Sequence, residues 1–262
     1  MVENSKIKIQ NIYPLTSMQE GMLFHALLEP NSPAYFEQLS WSISGNFDVA
    51  AFEASWNKLI ERHAVLRSMF VHEGTERPVQ VVLESRPISV LEFDIRGPKA
   101  ENSIETCRAT DLEKPYVLGR DPLLRVMVLR IAAERFEVVW SHHHIILDGW
   151  SIGLLITELL EIYRAHRMNI APELVIAPSF ATFVKWLQAQ DRDAALAYWA
   201  RRLKNCDEPT SFGRTRLVDA SQNSSRGTVD FKLGVPATQE LNALATTRET
   251  TLAIVLQAIW AL

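Results

Sequence analysis

Leu124-Arg125-Val126-Met127-Val128-Leu129-Arg130-Ile131, a break at residues 132–135, and Phe136-Glu137-Val138-Val139-Trp140-Ser141-His142-His143-His144 are two runs rich in β-branched and aromatic side chains. Runs of this composition with a short break between them read as a β-hairpin. The second run passes through Ile145-Ile146-Leu147 to Asp148-Gly149, after which residues 150–164 carry apolar side chains at helical spacing. Strand, strand, helix is the order predicted, with Asp148 at the helix start. Where a strand feeds a helix in this way, the last side chains of the strand and the free N–H groups of the first helical turn share one space.

Working outward, Thr16 or Ser17 caps a helix whose Met18, Met22, Leu23, Ala26 and Leu27 fall on one stripe, and Pro30 stops it. Residues 35–44 are extended, and Asp48 caps a second helix carrying Val49, Phe52, Trp56, Leu59, Ile60 and His63 at helical spacing. Residues 65–71, 78–83 and 88–93 read as strands, and 103–114 as a mostly polar helix. Beyond the central helix come a proline-bearing loop at 166–178, helices at 180–189 and 192–203, a polar stretch at 207–226, a strand at 228–233, and helices from Thr238 and Thr251. The alternation predicts an α/β fold, a central mixed sheet with helices packed on it. The last helix places Leu252, Val255, Leu256, Ile259 and Trp260 on apolar faces with neither a glycine nor a basic turn to close it, the pattern of a truncated domain.

At 262 residues and 47% hydrophobic content the chain can bury a sizeable core. Its 31 acidic and 27 basic residues, net charge -4, offer no basic footprint for nucleic acid or an anionic membrane. Cys107 and Cys206 are far apart and outside any C-x-x-C spacing, which argues against a disulfide framework or a thiolate zinc site and fits a reducing cytoplasm. Residues 1–10 lack the apolar core of a signal peptide, and no run approaches a membrane span, so a cytoplasmic location is expected.

Side chains alternate along a strand, so Trp140, His142 and His144 are expected on one face, with Ser141 and His143 on the other. His144, beside an N–H group at or after Gly149, combines a proton acceptor that works near neutral pH with a donor for a developing oxyanion, the pair that acyl transfer to an amine requires. His142 reads as a wall residue of the core. Arg67, on a segment expected to be buried on both faces, needs a carboxylate, and Asp148 is the first candidate, with Arg62 as the alternative partner of that aspartate. Asp148 can cap the helix at the same time. A metal site built from His142, His144 and Asp148 is disfavoured, because the H-E-x-x-H spacing is absent and the carboxylate would have to turn back. Gly149-Trp150-Ser151-Ile152-Gly153 matches the G-x-S-x-G nucleophile elbow, but only His166 follows it, within or just beyond the same helix, so Ser151 lacks a base in the required chain order.

His143-His144-Ile145-Ile146-Leu147-Asp148-Gly149-Trp150-Ser151 contains HHxxxDGWS, which resembles the core motif of the condensation domains of non-ribosomal peptide synthetases; the shorter HHxxxD is shared with chloramphenicol acetyltransferase-like enzymes. Three further segments resemble motifs of that family in the same order: residues 15–25, 62–70 and 180–186. The first has Met18 for the commoner alanine and Gly21 for arginine, and the second has Ala64 for an acidic residue.

The resemblance implies a chloramphenicol acetyltransferase-like lobe over residues 1–178, with 179–262 as connecting helices and the start of a second lobe. It implies His144 as the active-site histidine, as base or as positioner of the amine, with His143 and Asp148 shaping the loop and Gly149 against the reacting carbonyl. Arg67 and Arg62 would support the site, and Met18, Gln19, His142, Trp150 and Ser151 would lie along the substrate channel. It implies no metal and no directly bound cofactor, since the substrates arrive on the phosphopantetheine of upstream donor and downstream acceptor carrier domains, with an adenylation domain in the same synthetase. A catalytically incompetent docking fragment and an epimerisation domain are the alternatives. The order Trp150-Ser151 favours condensation over epimerisation, and Leu147 before Asp148 points to a D-configured donor.

Overall fold

The computed structural model describes residues 8–30, 32–98, 100–206 and 231–261. Two compact units emerge, Met1–Ala195 and Leu196–Leu262. In the first, the described residues form two sheets. Strands β1 (Ile9–Pro14), β3 (Ser68–Val71) and β4 (Val79–Leu83) form an antiparallel sheet in the order β1-β4-β3. Strands β2 (Phe36–Ser44), β5 (Leu91–Asp94), β6 (Leu124–Ala132) and β7 (Arg135–His143) form the other in the order β2-β7-β6-β5. Among the described strands of this sheet only β5 and β6 run parallel, so it is mixed, as expected.

The helices of this unit are α1 (Ser17–Leu28), α2 (Val49–Arg62), α3 (Ala100–Leu112), α4 (Gly149–Met168) and α5 (Phe180–Gln188), and α6 (Arg192–Arg202) crosses the boundary between units. Phe52, Trp56 and Leu59 of α2 and Leu155 and Leu159 of α4 pack on Val126, Val128, Val138 and Trp140 of the central hairpin. The Trp56 and Trp140 rings meet edge to face at 5.1 Å. Each fully buried side chain of this kind contributes roughly 1.5–3 kcal/mol, so the hairpin is anchored from this face. On the opposite face Met127, Leu129 and Val139 are covered by Ile104 and Cys107 of α3. A buried Asp111 fixes α3 there, accepting from Arg125 Nε at 2.8 Å and from the Ser141 hydroxyl.

Four differences from the expected elements have physical causes. Residues 64–67 form a 3₁₀ turn (Ala64–Arg67) before β3 instead of a continuous strand. Arg67 turns back so that its guanidinium donates to the Ile60 and Glu61 carbonyls, which the end of α2 leaves without helical partners. β5 starts later than residue 88 because Asn57 and Glu53 of α2 accept the main-chain N–H groups of Ile88 and Val90, at 2.8 and 2.7 Å. α4 runs on to Met168 and ends at Asn169, whose φ of 53° is the left-handed conformation that terminates helices. β1 is absent from the expected elements because it is a mostly exposed edge strand without apolar periodicity.

In the second unit α7 (Val235–Thr247) and α8 (Leu252–Trp260) bury Ala245 and Val255, and Thr251 caps α8. The expected polar stretch at 207–226 and residues 228–230 of the expected strand lie outside the described residues; 231–233 are not in a strand.

Candidate active site

β7 delivers three histidines to one corner and then ends, so strand alternation places only the first two. His142 follows Trp140 into the core, with ring centroids 5.0 Å apart and no exposed surface, and neither ring nitrogen has a hydrogen-bond partner among the described residues. Burial, reinforced by the neighbouring His144 and His143, pushes its pKa down to about 4. His142 is therefore a neutral core residue, which corrects its placement along a channel. His143 points to the other face, 5% exposed, and its Nδ1 accepts the N–H of Ile145 at 3.1 Å. Burial, then His144, lowers its pKa to about 4 as well.

His144 lies one residue beyond the strand, in the turn, so it does not share the Trp140 and His142 face by pleat. Its ring is half-buried, with Nδ1 enclosed and without a partner among the described residues. The backbone around it is pinned on every side. The His144 N–H donates to the Tyr35 carbonyl at 2.8 Å, and the Leu147 N–H donates to the His144 carbonyl at 3.3 Å. The Ile145 carbonyl accepts from Gln19 Nε2 at 3.2 Å. Gln19 is 5% exposed, joins Gln80 at 2.9 Å, and completes a capping box with Thr16 at the start of α1. Gln80 continues the chain to the Ser68 hydroxyl at 2.8 Å. Gln19, expected along a channel, is instead a buried tie between α1, β4 and the histidine turn.

Asp148 caps α4 through its own carboxylate, accepting from the Ser151 hydroxyl at 2.6 Å and from the Ser151 N–H at 2.8 Å. Those two bonds, the hydroxyl first, hold its pKa below the usual carboxylate range. The Ile152 N–H donates to the Asp148 carbonyl, leaving the N–H groups of Gly149 and Trp150 unpaired among the described residues. A Cβ added at Gly149 would meet nothing within 4 Å, so the space over this helix start is open. Trp150 and Met18 are exposed, at 89% and 72%.

Neither expected arginine partners Asp148. Arg67 is 5% exposed and donates to the Leu83 carbonyl at 2.9 Å and to Gln10 at 2.8 Å, besides its two bonds to the end of α2. Neutral carbonyl dipoles around the guanidinium do the work expected of a carboxylate. Arg62 pairs with Glu158 at 2.9 Å, which also meets His63 Nε2 at 2.6 Å. Burial alone would raise the Glu158 pKa, but the bonds from Arg62 and His63 outweigh it and lower it. The clamp holds the middle of α4 against α2 and supports the helix whose start carries Gly149, one step removed from Asp148.

Sequence reading missed Tyr35 and Gln80. Tyr35 has φ of 64°, a conformation that nothing in its residue type announces, and its carbonyl holds His144. A cavity of about 660 Å³ in the same unit is lined by Tyr35 and His143, and His144 is not among its walls. Among the described residues no group of three or more metal-ligating side chains comes together, and no helix is long and apolar enough to cross a membrane.

The arrangement, a half-buried imidazole on a pinned turn, close enough to Asp148 for the two to interact electrostatically and followed by two unpaired N–H groups at a helix start, has the chemistry to take a nucleophile's proton and stabilise a developing oxyanion. The family profile described as Condensation domain matches residues 9–262. Surfactin synthase subunit 3 of Bacillus subtilis (strain 168) is 35% identical over 263 residues, covering 99% of this chain and 20% of that protein. Bacitracin synthase 3 of Bacillus licheniformis is 36% identical over 257 residues, covering 97% of this chain and 4% of that protein. The chain thus spans a small part of these relatives.

Among solved structures, the first condensation domain of the calcium-dependent antibiotic synthetase superposes with a TM-score of 0.78 at 22% identity, over 97% of this chain and 61% of that one. A variant of the starter condensation domain of rhizomide synthetase gives 0.70 at 22% identity, over 76% and 50%. These likenesses establish the fold as that of the chloramphenicol acetyltransferase-like condensation domains. With the profile spanning nearly the whole sequence, the chain belongs to the condensation-domain family.

Proposed function

We propose that the chain supplies the histidine-bearing lobe of a peptide-synthetase condensation domain, with residues 1–178 as that lobe and 179–262 leading into a second. Two carrier domains present an acyl thioester and an aminoacyl thioester on phosphopantetheine. His144 takes the proton from the acceptor amine as its nitrogen attacks the donor carbonyl. The N–H groups of Gly149 and Trp150 face the resulting oxyanion. Collapse forms the amide bond, breaks the C–S bond and releases the donor phosphopantetheine thiol, which regains a proton from the imidazolium. Cytoplasmic work alongside an adenylation domain fits this reading.

The observation that carries it is the pinning of the turn's main chain, His144 N–H by the Tyr35 carbonyl and the Ile145 carbonyl by Gln19, just before an open helix start. A fixed main chain limits where the imidazole can sit, which favours its use in a bimolecular step. The test uses the complete synthetase with both carriers loaded. His144→Ala is expected to lower amide formation by about 10²–10⁴-fold; an unchanged rate would overturn the assignment.

Because the chain spans 50–61% of the solved condensation domains described above, residues 1–262 alone are expected to bind carrier domains without turnover. Measurable peptide formation by the isolated chain, abolished by His144→Ala, would overturn that expectation. The order Trp150-Ser151 after Gly149 supports condensation over epimerisation.

A further inference from the structure

The cavity beside His143 lies between the end of α1, the loop before β2, the end of β3 and residues 112–120, all within the first unit. Its volume of about 660 Å³ lies in the range of small-molecule pockets. Leu23, Phe70, Leu118 and His143, each less than a tenth exposed, make its floor. The charged residues on its walls, among them Glu29, Glu113 and Arg120, are exposed and belong to its mouth.

His143 is the one polar side chain among those four floor residues; the hydroxyl of Tyr116, which also lines the cavity, is buried and without a partner among the described residues. The His143 Nδ1 is taken by the Ile145 N–H, which fixes the neutral tautomer with hydrogen on Nε2. That Nε2–H has no partner among the described residues and is not sealed away. The His143 side chain is 5% exposed on an apolar floor, and an acceptor brought by a ligand would satisfy its N–H in place of water. The wall next to it is held under strain. Tyr35 sits at φ of 64°, its ring centroid 6.2 Å from that of His143 and its hydroxyl 3.0 Å from His25 Nδ1. Bulky residues persist in that region only where their surroundings impose it, typically at ligand clamps and functional sites.

We infer that this cavity is a binding pocket for an uncharged, mainly apolar group carrying one hydrogen-bond acceptor, which receives the Nε2–H of His143. The inference is independent of acyl transfer at His144. A carboxylate is excluded from the floor by desolvation, since His143 and Tyr116 meet it as neutral groups, and the acidic excess at the mouth repels it further.

The probe is N-butylbenzamide, titrated into the 262-residue chain by calorimetry and located by protein-to-probe nuclear Overhauser effects. Saturable binding with a dissociation constant on the order of 1 mM or lower is expected, with contacts to Phe70, Leu118 and Tyr35. Benzoate should bind at least about tenfold more weakly. Ala26→Trp, which fills the space, should remove binding. His143→Phe should weaken it about tenfold, and His143→Gln, which keeps an N–H donor, should recover part of the loss. Near-UV circular dichroism checks that each variant is folded, and if Ala26→Trp is not, the Overhauser contacts in the unaltered chain decide. No saturable binding, contacts elsewhere, or full binding by folded Ala26→Trp or His143→Phe would overturn the inference.

Discussion

Gln19 Nε2 donates to the Ile145 carbonyl, 126 residues away in sequence, at 3.2 Å, and to Gln80 Oε1 at 2.9 Å. One buried amide therefore joins the first turn of α1 to the turn that presents His144 and to the neighbouring sheet. Both its acceptors lie in a water-poor setting, with Gln80 at 0% exposure, so loss of the donor leaves them unsatisfied.

Gln19→Leu is expected to destabilise the chain by about 1–3 kcal/mol, the cost of orphaned buried polar groups. Gln19→Glu keeps the shape and the capping bond from the Thr16 N–H but loses the amide donor and buries a charge, so it should be at least as harmful. Urea unfolding monitored by tryptophan fluorescence measures both. A change below about 0.5 kcal/mol for each would show that the tie carries no weight.

Arg67 and Asp148 make separate networks, and that separation is testable. Arg67→Leu should cost roughly 2–4 kcal/mol, because the carbonyls of Ile60, Glu61 and Leu83 lose a charged donor together. Asp148→Asn should cost well under about 1 kcal/mol, since asparagine caps a helix as well as aspartate does. The double variant should then be additive within about 0.5 kcal/mol. A coupling of about 1 kcal/mol or more would restore the ion pair that the sequence led one to expect.

The features legible in the sequence are those set by neighbours along the chain. Asp48 and Asp148 announce α2 and α4 because a cap bonds N–H groups three residues on, and the central hairpin is visible in its own composition. The pairing of His143 with His144 before Asp148-Gly149 marks the corner where the site lies. Arg67 is misleading for the opposite reason: its partners come from the end of α2, from β4 and from Gln10 of β1, and a buried guanidinium looks the same in sequence whether neutral oxygens or a carboxylate surround it. The late start of β5 likewise depends on Asn57 and Glu53 reaching across from a helix 31 and 37 residues away. Tyr35 carries no trace of its left-handed backbone in its residue type.

Acid stability follows from the two buried imidazoles. His142 and His143 each have a folded pKa near 4, against about 6.5 in an unfolded chain. Above pH 6.5 both are neutral folded or unfolded, and they add no pH dependence. Between about 6.5 and 4 the unfolded chain takes up two protons that the folded chain refuses, so stability falls with decreasing pH by up to roughly 1.4 kcal/mol per pH unit for each histidine. Below about 4 the folded state accepts them too and this contribution levels off, after a total loss of a few kcal/mol per residue. His142→Leu should remove one of the two protons from that slope. Because both ring nitrogens of His142 lack partners among the described residues, the same change should leave stability at pH 7.5 equal or higher. Urea titrations at half-unit intervals from pH 7.5 to 4 resolve the two effects. An unchanged slope in the variant would mean that His142 is charged in the folded protein, and that the strand end next to His144 is open to water.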